Sequence, residues 1–363
     1  MPANFDLMGL ALKCACPQNE IIYDDKGMPS VMVRLPKKTY KELGLGSSMA
    51  VHPAWIVNGS EVDEIYISKF QNIIHGGRAY SLPGQDPANT IDFDTARAAC
   101  EAKGAGWHIM TKMEWGAIAN MCKAAGTMPY GNNNYGKDSR ESGYYASPSC
   151  ARDGSGNIQR VATGTGPLTW SHDRTPGGIW DLNGNVWEWM GGARIVKGEL
   201  QILANNNGAD KSHSQAADSA EWKAINGSSG ALITPDGAGT TSGSIKMAYV
   251  SSKCQYSTTM SGQSTDGRNC SFEDVNCDSS IGADAKLLLQ ALGLLKYDST
   301  AGAYEGDWFY WNNGESERAW LSGGYWSGGT YAGVFDSYGS HGRENLFANF
   351  GFRSAFVKLP SGT

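Results

Sequence analysis

The sequence predicts an α+β protein in which much of the chain is irregular. Gly accounts for 47 of the 363 residues, close to double the usual share of roughly 7%, and only 18% of the residues are charged. Residues 62–70 alternate apolar and polar side chains, which is the pattern of a half-buried strand. Two stretches with helical periodicity follow this strand. Together these observations favour a turn-rich mixed fold over a helical bundle.

The two predicted helices cover residues 94–103 and 111–126. In the first, small apolar residues repeat along one face. In the second, Thr111 and Glu114 have the S/T-x-x-E spacing of a capping box, in which each side chain bonds the backbone N–H of the other residue. Gly126 stands where a C-terminal cap belongs, so it marks the end of this helix.

Charge and composition exclude several classes of function. The formal net charge is −6, so the chain lacks the basic surface that binds nucleic acid or an anionic membrane. No run of 18 apolar residues is present, which argues against a membrane-spanning helix. The first residues lack the cationic segment of a signal peptide, so we expect synthesis in the cytoplasm without one. The eight cysteines show no C-x-x-C pair, which favours free thiols over a zinc site or a disulfide framework.

Changes in composition along the chain suggest its organisation. Residues 1–45 are expected to form a small N-terminal unit, and residues 46–363 the main domain. Within that domain, residues 195–305 are rich in Ser, Gly, Ala and Asp and are interpreted as a long insertion, with one helix at 283–295. Residues 304–359 are rich in aromatic side chains. The role of the insertion stays open, because it would serve equally to brace the aromatic-rich region, to extend it or to form an oligomer contact.

Three motifs follow one another along the chain. They are GWHIMTKMEW at 106–115, GIWDLNGNVWEW at 178–189, and SGGYW at 322–326 followed by GFRSAF at 351–356. In this order they resemble the motifs of formylglycine-generating-enzyme-like proteins. The second motif is the most specific of the three. The resemblance implies a C-type-lectin-like fold of the formylglycine-generating enzyme type, with a mixed β-sheet, two helices and much irregular chain. Residues 1–45 and 195–305 lie outside the resemblance.

Residues 318–356 also resemble the variable region of proteins that are diversified by diversity-generating retroelements. Such regions combine a fixed frame with positions whose codons change at adenine bases. The matching frame residues here are Gly323, Gly324, Trp326, Ala332, Gly333, Val334, Phe335, Arg343, Gly351, Phe352 and Arg353. The interleaved residues, which are expected to vary and to bind ligand, are Tyr325, Ser327, Gly328, Tyr331, Asp336, Tyr338, Ser340, His341, Asn345, Phe347, Ala348 and Asn349. An Asn codon changed only at its adenines never encodes Lys, Glu, Gln, Met or Trp, and none of these occurs among the interleaved residues.

The residue types at the interleaved positions suit a binding surface. Tyr gives a large rigid contact area at low entropic cost, and Ser, Gly and Asn adapt their hydrogen bonds to a partner. We therefore expect Tyr325, Tyr331 and Tyr338 to be displayed, whereas the alternative is that these rings belong to the core. Trp326 and Phe352, like Phe335, are expected to be buried, because large aromatic frame residues usually lie in cores.

This sequence lacks the metal-binding motifs of the enzymes that it resembles. By resemblance, the formylglycine-forming enzymes bind copper through cysteines between the last two motifs, but no cysteine follows Cys277. The iron-dependent branch holds its metal with an H-x-x-x-H-x-E spacing, which the six scattered histidines do not form. We therefore expect a protein that is not an enzyme and that has no catalytic residue, copper or iron. The alternative is a formylglycine-generating-enzyme-like or non-haem iron oxidase with displaced active-site residues.

The same resemblance implies a structural Ca²⁺ at the GNVWEW turn. Position by position, its ligands would be the side chains of Asp181 and Glu188 and the backbone carbonyls of Gly184 and Val186. Hard oxygen donors with two carboxylates in a tight turn suit this ion. The alternative is a turn without metal, in which Glu188 accepts hydrogen bonds from backbone N–H groups.

These expectations together predict a ligand-binding display protein whose C-terminal face is diversified by a retroelement. By resemblance, such proteins serve as phage receptor-binding proteins at the tail tip or as bacterial surface proteins. The expected location is therefore a phage virion or a bacterial cell surface, and the expected ligand is a protein or glycan on a target cell. No nucleic-acid partner and no membrane insertion are expected, and oligomerisation is left open. A structural tail protein without a diversified site is a further alternative.

Overall fold

The computed structural model describes residues 7–262, 267–313 and 316–360, which contain four α-helices and many short strands. The helices are α1 Leu7–Ala15, α2 Phe93–Glu101, α3 Lys112–Ala125 and α4 Ala283–Ala291. The strands, in chain order, are β1 Asn19–Tyr23, β2 Pro29–Pro36, β3 Ile56–Val57, β4 Ser60–Glu61, β5 Glu64–Ser68, β6 Ile73–His75, β7 Arg78–Tyr80, β8 Trp107–Ile109, β9 Trp187–Val196, β10 Glu199–Ile202, β11 Lys223–Ile225, β12 Leu232–Ile233, β13 Lys246–Val250, β14 Lys253–Ser257, β15 Arg268–Ser271, β16 Asn276–Cys277, β17 Trp308–Trp311, β18 Glu317–Ser322, β19 Ser337–His341, β20 Phe350–Phe352 and β21 Ser354–Phe356. The chain is therefore an α+β protein dominated by strands, as the sequence predicts. None of the described helices is long and apolar enough to cross a membrane.

The N-terminal strands belong to a five-stranded sheet with the order β1-β2-β5-β21-β8. β2 pairs antiparallel with β5, which places Val33 opposite Ile67, and β21 pairs with both β5 and β8. Val33, Ile67 and Ala355 are fully buried. A two-stranded hairpin is marginally stable by itself and needs a partner for its apolar face. β1 and β2, which come from the stretch expected to form a separate unit at 1–45, therefore share a sheet with strands of the main domain.

The larger sheet has twelve strands and combines the insertion with the aromatic-rich C-terminal region. Its main path is β15-β17-β19-β18-β9-β10-β13-β14-β16, and β20 pairs with β9. β9 is central, because it runs antiparallel to β18 and parallel to β20, with Phe350 opposite Trp187. Strands β10 to β16 come from the stretch interpreted as an insertion at 195–305. The insertion thus extends the sheet that carries the predicted variable region.

α3 begins where the sequence predicts, and its capping box is formed. The Thr111 side chain accepts a hydrogen bond from the Glu114 N–H, and the Glu114 carboxylate accepts one from the Thr111 N–H. Gly126 ends the helix with a φ of 67°, a left-handed conformation that Gly adopts without a Cβ clash. α2 begins at Phe93 and ends at Glu101, slightly before the predicted end.

The insertion is fixed to α3 by a close backbone contact. α4 ends at Ala291, short of the predicted residue 295, because the chain turns at Gly293 with a φ of 64°. A Cβ added to Gly116 of α3 would lie 2.1 Å from the Ala291 carbonyl oxygen. Nε2 of His52 lies 3.2 Å from the same oxygen. Glycine at 116 is therefore what lets the insertion approach the scaffold.

Candidate ligand-binding surface

The frame residues fold inward and form the base of the candidate surface. Trp326, Phe335 and Phe352 are all more than nine-tenths buried, as predicted. Gly324 has a φ of 81°, and a Cβ at this position would lie 2.3 Å from the Cβ of Ala332. Both the positive φ and the lack of room for a Cβ beside Ala332 therefore require Gly at position 324. These frame residues are therefore tightly packed.

Arg353 is a frame residue that joins the two sheets. Its guanidinium is fully buried and donates two hydrogen bonds to the Glu188 carboxylate on β9, at 2.8 and 3.0 Å. It also donates to the backbone carbonyls of Ser68 on β5 and of Trp180, at 2.8 and 2.9 Å. A buried charge is tolerated when it is paired and fully hydrogen-bonded in this way. Lys and other residues cannot reproduce this forked geometry.

Arg343 fixes the loop at 342–349, which carries several interleaved residues. Its guanidinium bonds the Glu317 carboxylate of β18 at 2.6 and 2.9 Å. It also bonds the Asp94 carboxylate of α2 and the backbone carbonyl of Gln215 in the insertion, each at 3.1 Å. One frame side chain thus holds the loop against three separate parts of the scaffold.

Most interleaved residues reach the surface, and two do not. Tyr331 and Phe347 are 53% and 50% exposed. Ala348 is also exposed, and the partly exposed members are Tyr325, Ser327, Gly328, Tyr338, His341, Asn345 and Asn349. Asp336 and Ser340 are only 2% and 8% exposed. The structure places these two predicted ligand contacts beneath the surface.

Asp336 is buried at the end of a turn, near the charge of Lys112. Its N–H bonds the Gly333 carbonyl at 3.0 Å. Burial raises the pKa of Asp336 well above its usual value, and the neighbouring Lys112 charge opposes that rise. Lys112 is itself fully buried and donates to the hydroxyls of Ser322 and Ser337 at 2.8 Å each. Burial lowers the pKa of Lys112 to about 7. Position 336 therefore affects the stability of the base more directly than it affects a ligand.

The outward-facing rings and the buried Trp187 ring beneath them form one aromatic surface. We define it as Trp187, Trp308, Tyr310, Tyr325, Tyr331, Tyr338, His341 and Phe347. Tyr338 lies at its centre, with its ring stacked on Tyr310 at 4.4 Å between centroids and 9° between planes. The same ring lies 5.2 Å from that of Trp187 and 5.5 Å from that of His341. Stacked and tilted ring pairs at these separations are favourable, so the surface is braced by its own members.

Trp308 and Tyr310 were not among the predicted site residues, because they precede the variable region. β17 pairs in parallel with β19, which places Tyr310 opposite Tyr338. The Trp308 ring lies 4.3 Å from that of Tyr331. The signal for these residues was the WFYW run, since alternate side chains of a strand face opposite ways. The structure shows that alternation, with Trp308 and Tyr310 half-buried and the other two fully buried.

An open pocket with a volume of about 250 Å³ lies within the aromatic surface. It is lined by Trp187, Tyr325, Tyr338, His341, Phe347, Asn349 and Phe350. Among these described lining residues there is no Asp, Glu, Lys or Arg. Burial lowers the pKa of His341, so its ring is neutral at pH 7. The pocket therefore presents an uncharged aromatic wall with one amide at its edge.

At the GNVWEW turn, a side-chain amide lies where the resemblance places calcium. Gln71 is fully buried. Its Nε2 lies 3.2 Å from the Asp181 carbonyl, 3.4 Å from that of Gly184, 3.0 Å from that of Val186 and 3.1 Å from Glu188 Oε1. With Gln71 in this position, the four oxygens do not fit an added cation. The alternative in which Glu188 accepts from backbone N–H groups is not seen either, since its partners are Gln71 and Arg353.

Asp181 contributes to this cluster through its carbonyl and not through its carboxylate. The carboxylate turns away and accepts a hydrogen bond from the Gly164 N–H at 2.9 Å. Its other oxygen, Oδ1, is buried without a hydrogen-bond partner. Burial raises the pKa of Asp181 to about 6. The carboxylate therefore lies outside the set of oxygens that surrounds Gln71.

His108 and His213 each pair with a different carboxylate. His108 Nε2 lies 2.9 Å from Glu114, which caps α3, and His213 Nδ1 lies 2.8 Å from Glu221 in the insertion. Over residues 7–262, 267–313 and 316–360, no three His, Cys, Asp or Glu side chains come together as a metal site. All eight cysteines are free thiols in the structure. The His108–Glu114 and His213–Glu221 pairs thus serve local packing and helix capping.

Comparison with known proteins gives matches to solved structures alone. No family model and no curated protein matches the sequence. The structure of PvdO from Pseudomonas aeruginosa is similar with a TM-score of 0.37 and 13% identity, over 93% of this chain and 97% of that one. The Major Tropism Determinant P3c variant is similar with a TM-score of 0.30 and 12% identity, over 93% of this chain and 71% of that one. The M1 variant of the same protein gives a TM-score of 0.31 and 12% identity over the same shares.

Proposed function

We propose that this chain is a ligand-binding display protein and not an enzyme, with a C-type-lectin-like scaffold and a C-terminal face that a retroelement diversifies. The observation that carries the proposal is the division of residues 318–356 by burial. Frame residues such as Phe352 and Arg353 are buried, whereas interleaved residues such as Tyr331 and Phe347 are exposed. Substitutions at the exposed positions leave the packed base in place, which is what a diversified binding surface requires.

The proposed role is receptor binding on a phage tail tip or on a bacterial cell surface, with a protein or glycan of the target cell as ligand. Rigid Tyr rings beside small polar residues support this role, because they provide contact area at low entropic cost. Several copies on one particle would raise the avidity above the affinity of a single site. The proposed function involves no copper, iron, nucleic acid or membrane insertion.

Deep sequencing of codons 315–356 in a population that carries this gene tests the proposal. We expect substitutions to concentrate at the exposed interleaved positions and to be confined to those reachable by changes at adenines. The frame codons serve as the internal control and should remain unchanged. An even distribution of substitutions over frame and interleaved codons would contradict a diversified surface and favour a structural role.

A further inference from the structure

We propose that the ligand of the aromatic surface is a protein that inserts one large uncharged side chain into the pocket over Trp187. This inference rests on the proposed function and deepens it by naming the class of partner. The pocket volume of about 250 Å³ is smaller than the roughly 300–1,000 Å³ of typical small-molecule sites. It suits a single aromatic or large aliphatic side chain presented by a folded partner.

The charge of the lining determines which side chains fit. The described lining residues include no carboxylate, ammonium or guanidinium group, and the His341 ring is neutral because its pKa is lowered. A charged side chain placed here would lose its hydration without gaining an ionic partner. An uncharged side chain loses little hydration and gains ring contacts with Trp187, Tyr338 and Phe347.

The surface around the pocket favours a protein over a glycan. Leu346, Phe347 and Tyr331 are 49%, 50% and 53% exposed, so apolar area continues beyond the pocket. Contiguous exposed apolar area marks protein interfaces, whose centres are aromatic and depleted of charge. A sugar ring would instead need several directed polar partners for its hydroxyls. One ring nitrogen of His341 is already 3.1 Å from Asn345 Oδ1, and the other polar groups of the lining are the Tyr325 and Tyr338 hydroxyls and the Asn349 amide. The exposed apolar area beyond the pocket therefore carries the preference for a protein.

The pocket combines a constant floor with a variable rim. Trp187 and Phe350 are 6% and 3% exposed, lie at its base, and are not interleaved residues. The remaining lining residues all belong to the interleaved set. Diversification therefore changes which partner fits around the rim, while the floor keeps selecting the same class of anchoring side chain.

Saturation-transfer NMR on the full chain tests this inference with small probes of known chemistry. The probes are N-acetyl-L-tryptophanamide, N-acetyl-L-leucinamide, N-acetyl-L-lysinamide and methyl β-D-glucopyranoside. We expect saturation of the Trp and Leu probes and about tenfold less for the Lys probe and the glucoside. Phe347→Ala should weaken binding of the Trp probe about tenfold. Tyr23→Ala, which removes an exposed ring on β1 of the other sheet, is the matched control and should change nothing.

Three results would overturn the inference. They are equal saturation of the Lys probe, stronger saturation of the glucoside, and no binding that distinguishes Phe347→Ala from Tyr23→Ala. A natural variant that differs elsewhere at the rim, and that keeps Trp187, Phe350 and an aromatic ring at position 347, should retain binding of the Trp probe. Codon sequencing tests the proposed function separately. If the interleaved codons vary but the probes bind without the expected preference, only the inference about the inserted side chain is rejected.

A separate observation leads us to infer that Gln71 and Arg353 replace the metal ion that the resemblance implies at the GNVWEW turn. The orientation of the Gln71 amide is fixed, because its Oε1 accepts a hydrogen bond from Asn185 Nδ2 at 3.0 Å. Its nitrogen end therefore faces the four oxygens described above. Arg353 adds a full positive charge against Glu188. N–H donors and one guanidinium thus supply the positive potential that a divalent cation would supply to these oxygens.

Calcium titration by calorimetry, after treatment of the protein with EDTA, tests this second inference. We expect no Ca²⁺ binding by the unmodified chain and the same thermal midpoint in EDTA and in excess Ca²⁺. Gln71→Glu adds a carboxylate to the oxygen cluster, so its midpoint should rise when Ca²⁺ is added. Gln215→Ala is the matched control, because Gln215 is also buried and bonds the backbone at Gly192 and Gly208. This control should be destabilised equally with and without Ca²⁺.

Binding of Ca²⁺ by the unmodified chain, or a lower midpoint in EDTA, would overturn the second inference. The titration of the unmodified chain decides the matter even if Gln71→Glu does not fold. A Gln71→Glu variant that folds and ignores Ca²⁺ would also count against it, because the oxygens would then not form a cation cage when the amide is removed.

Discussion

Frame and interleaved residues alternate along one short stretch of chain, yet they differ in almost every physical respect. Arg353 is fully buried and donates hydrogen bonds to Glu188, Ser68 and Trp180. Tyr331 is 53% exposed, and its ring contacts that of Trp308. The difference shows how the scaffold and the proposed recognition surface are divided in this molecule. Residues that hold the sheets together face inward, and the interleaved residues other than Asp336 and Ser340 reach the surface.

The largest expected effect is the loss of the buried ion pair. Arg353→Ala leaves the Glu188 carboxylate buried without its charged partner, and breaking such a pair costs about 3–5 kcal/mol. Urea unfolding should show this decrease in the free energy of unfolding. Arg34→Ala, at an exposed salt bridge with Glu64, is the control and should cost less than about 1 kcal/mol. Similar losses in the two variants would break the comparison between buried and exposed side chains.

A change of pH should also act on the buried scaffold. Burial lowers the pKa of His52 to about 3 from an ordinary value of 6.5. Between these values the unfolded chain binds the proton and the folded chain does not, so stability is full above pH 6.5 and falls as the pH drops. Lowering the pH from about 7 to about 5 should cost about 2 kcal/mol through this residue. For His52→Gln, the free energy of unfolding measured in urea should decrease less between the two pH values than it does for the unmodified chain. An equal decrease in both proteins would contradict the lowered pKa of His52.

Asp336 allows the comparison to be sharpened, because it belongs to the interleaved set but is buried. Asp336→Tyr forces a ring into packed space, and overpacking of this kind costs about 1–3 kcal/mol. Tyr331→Asp makes the reverse exchange on the surface and should stay within about 0.5 kcal/mol. Thermal unfolding of the two variants measures the difference. Equal stability would mean that burial does not separate the two kinds of position.

A small expected effect on stability accompanies the largest expected effect on recognition. Tyr331→Ala combined with Phe347→Ala removes two half-exposed rings, so the free energy of unfolding should change by less than about 1 kcal/mol. Binding to whole target cells should fall at least about tenfold, because aromatic anchors dominate interface energies. Tyr23→Ala is again the matched control. Binding that survives the double substitution would move the recognition site away from the aromatic surface.

Local features of the fold were predictable from sequence, and long-range pairings were not. The capping box at Thr111 and Glu114 was found because its signal lies within four consecutive residues. The parallel pairing of β17 with β19 has no comparable local signal, so Trp308 and Tyr310 were missed. The same holds for the N-terminal strands, whose partner β5 lies about thirty residues further on.

The candidate site shows the same limit in its polar parts. The resemblance indicated the four residues whose oxygens gather at the GNVWEW turn, but it assigned the Asp181 carboxylate where the structure places the Asp181 carbonyl. It did not indicate Gln71, since this residue lies more than a hundred positions before the motif. Likewise, Asp336 has the residue type of an exposed position, and only the folded structure shows it buried at the end of a turn.

Trp308 and Tyr310 belong to a strand that precedes the variable region, yet they form part of the aromatic surface. Any library built by randomising the interleaved codons therefore inherits two rings that are never sampled. Under the proposed function, all of its members share these two rings as constant contact area, and selection acts on what the changing side chains add to it. We expect such a repertoire to be biased towards targets with exposed apolar patches. Replacing these two rings would shift the bias of every member at once.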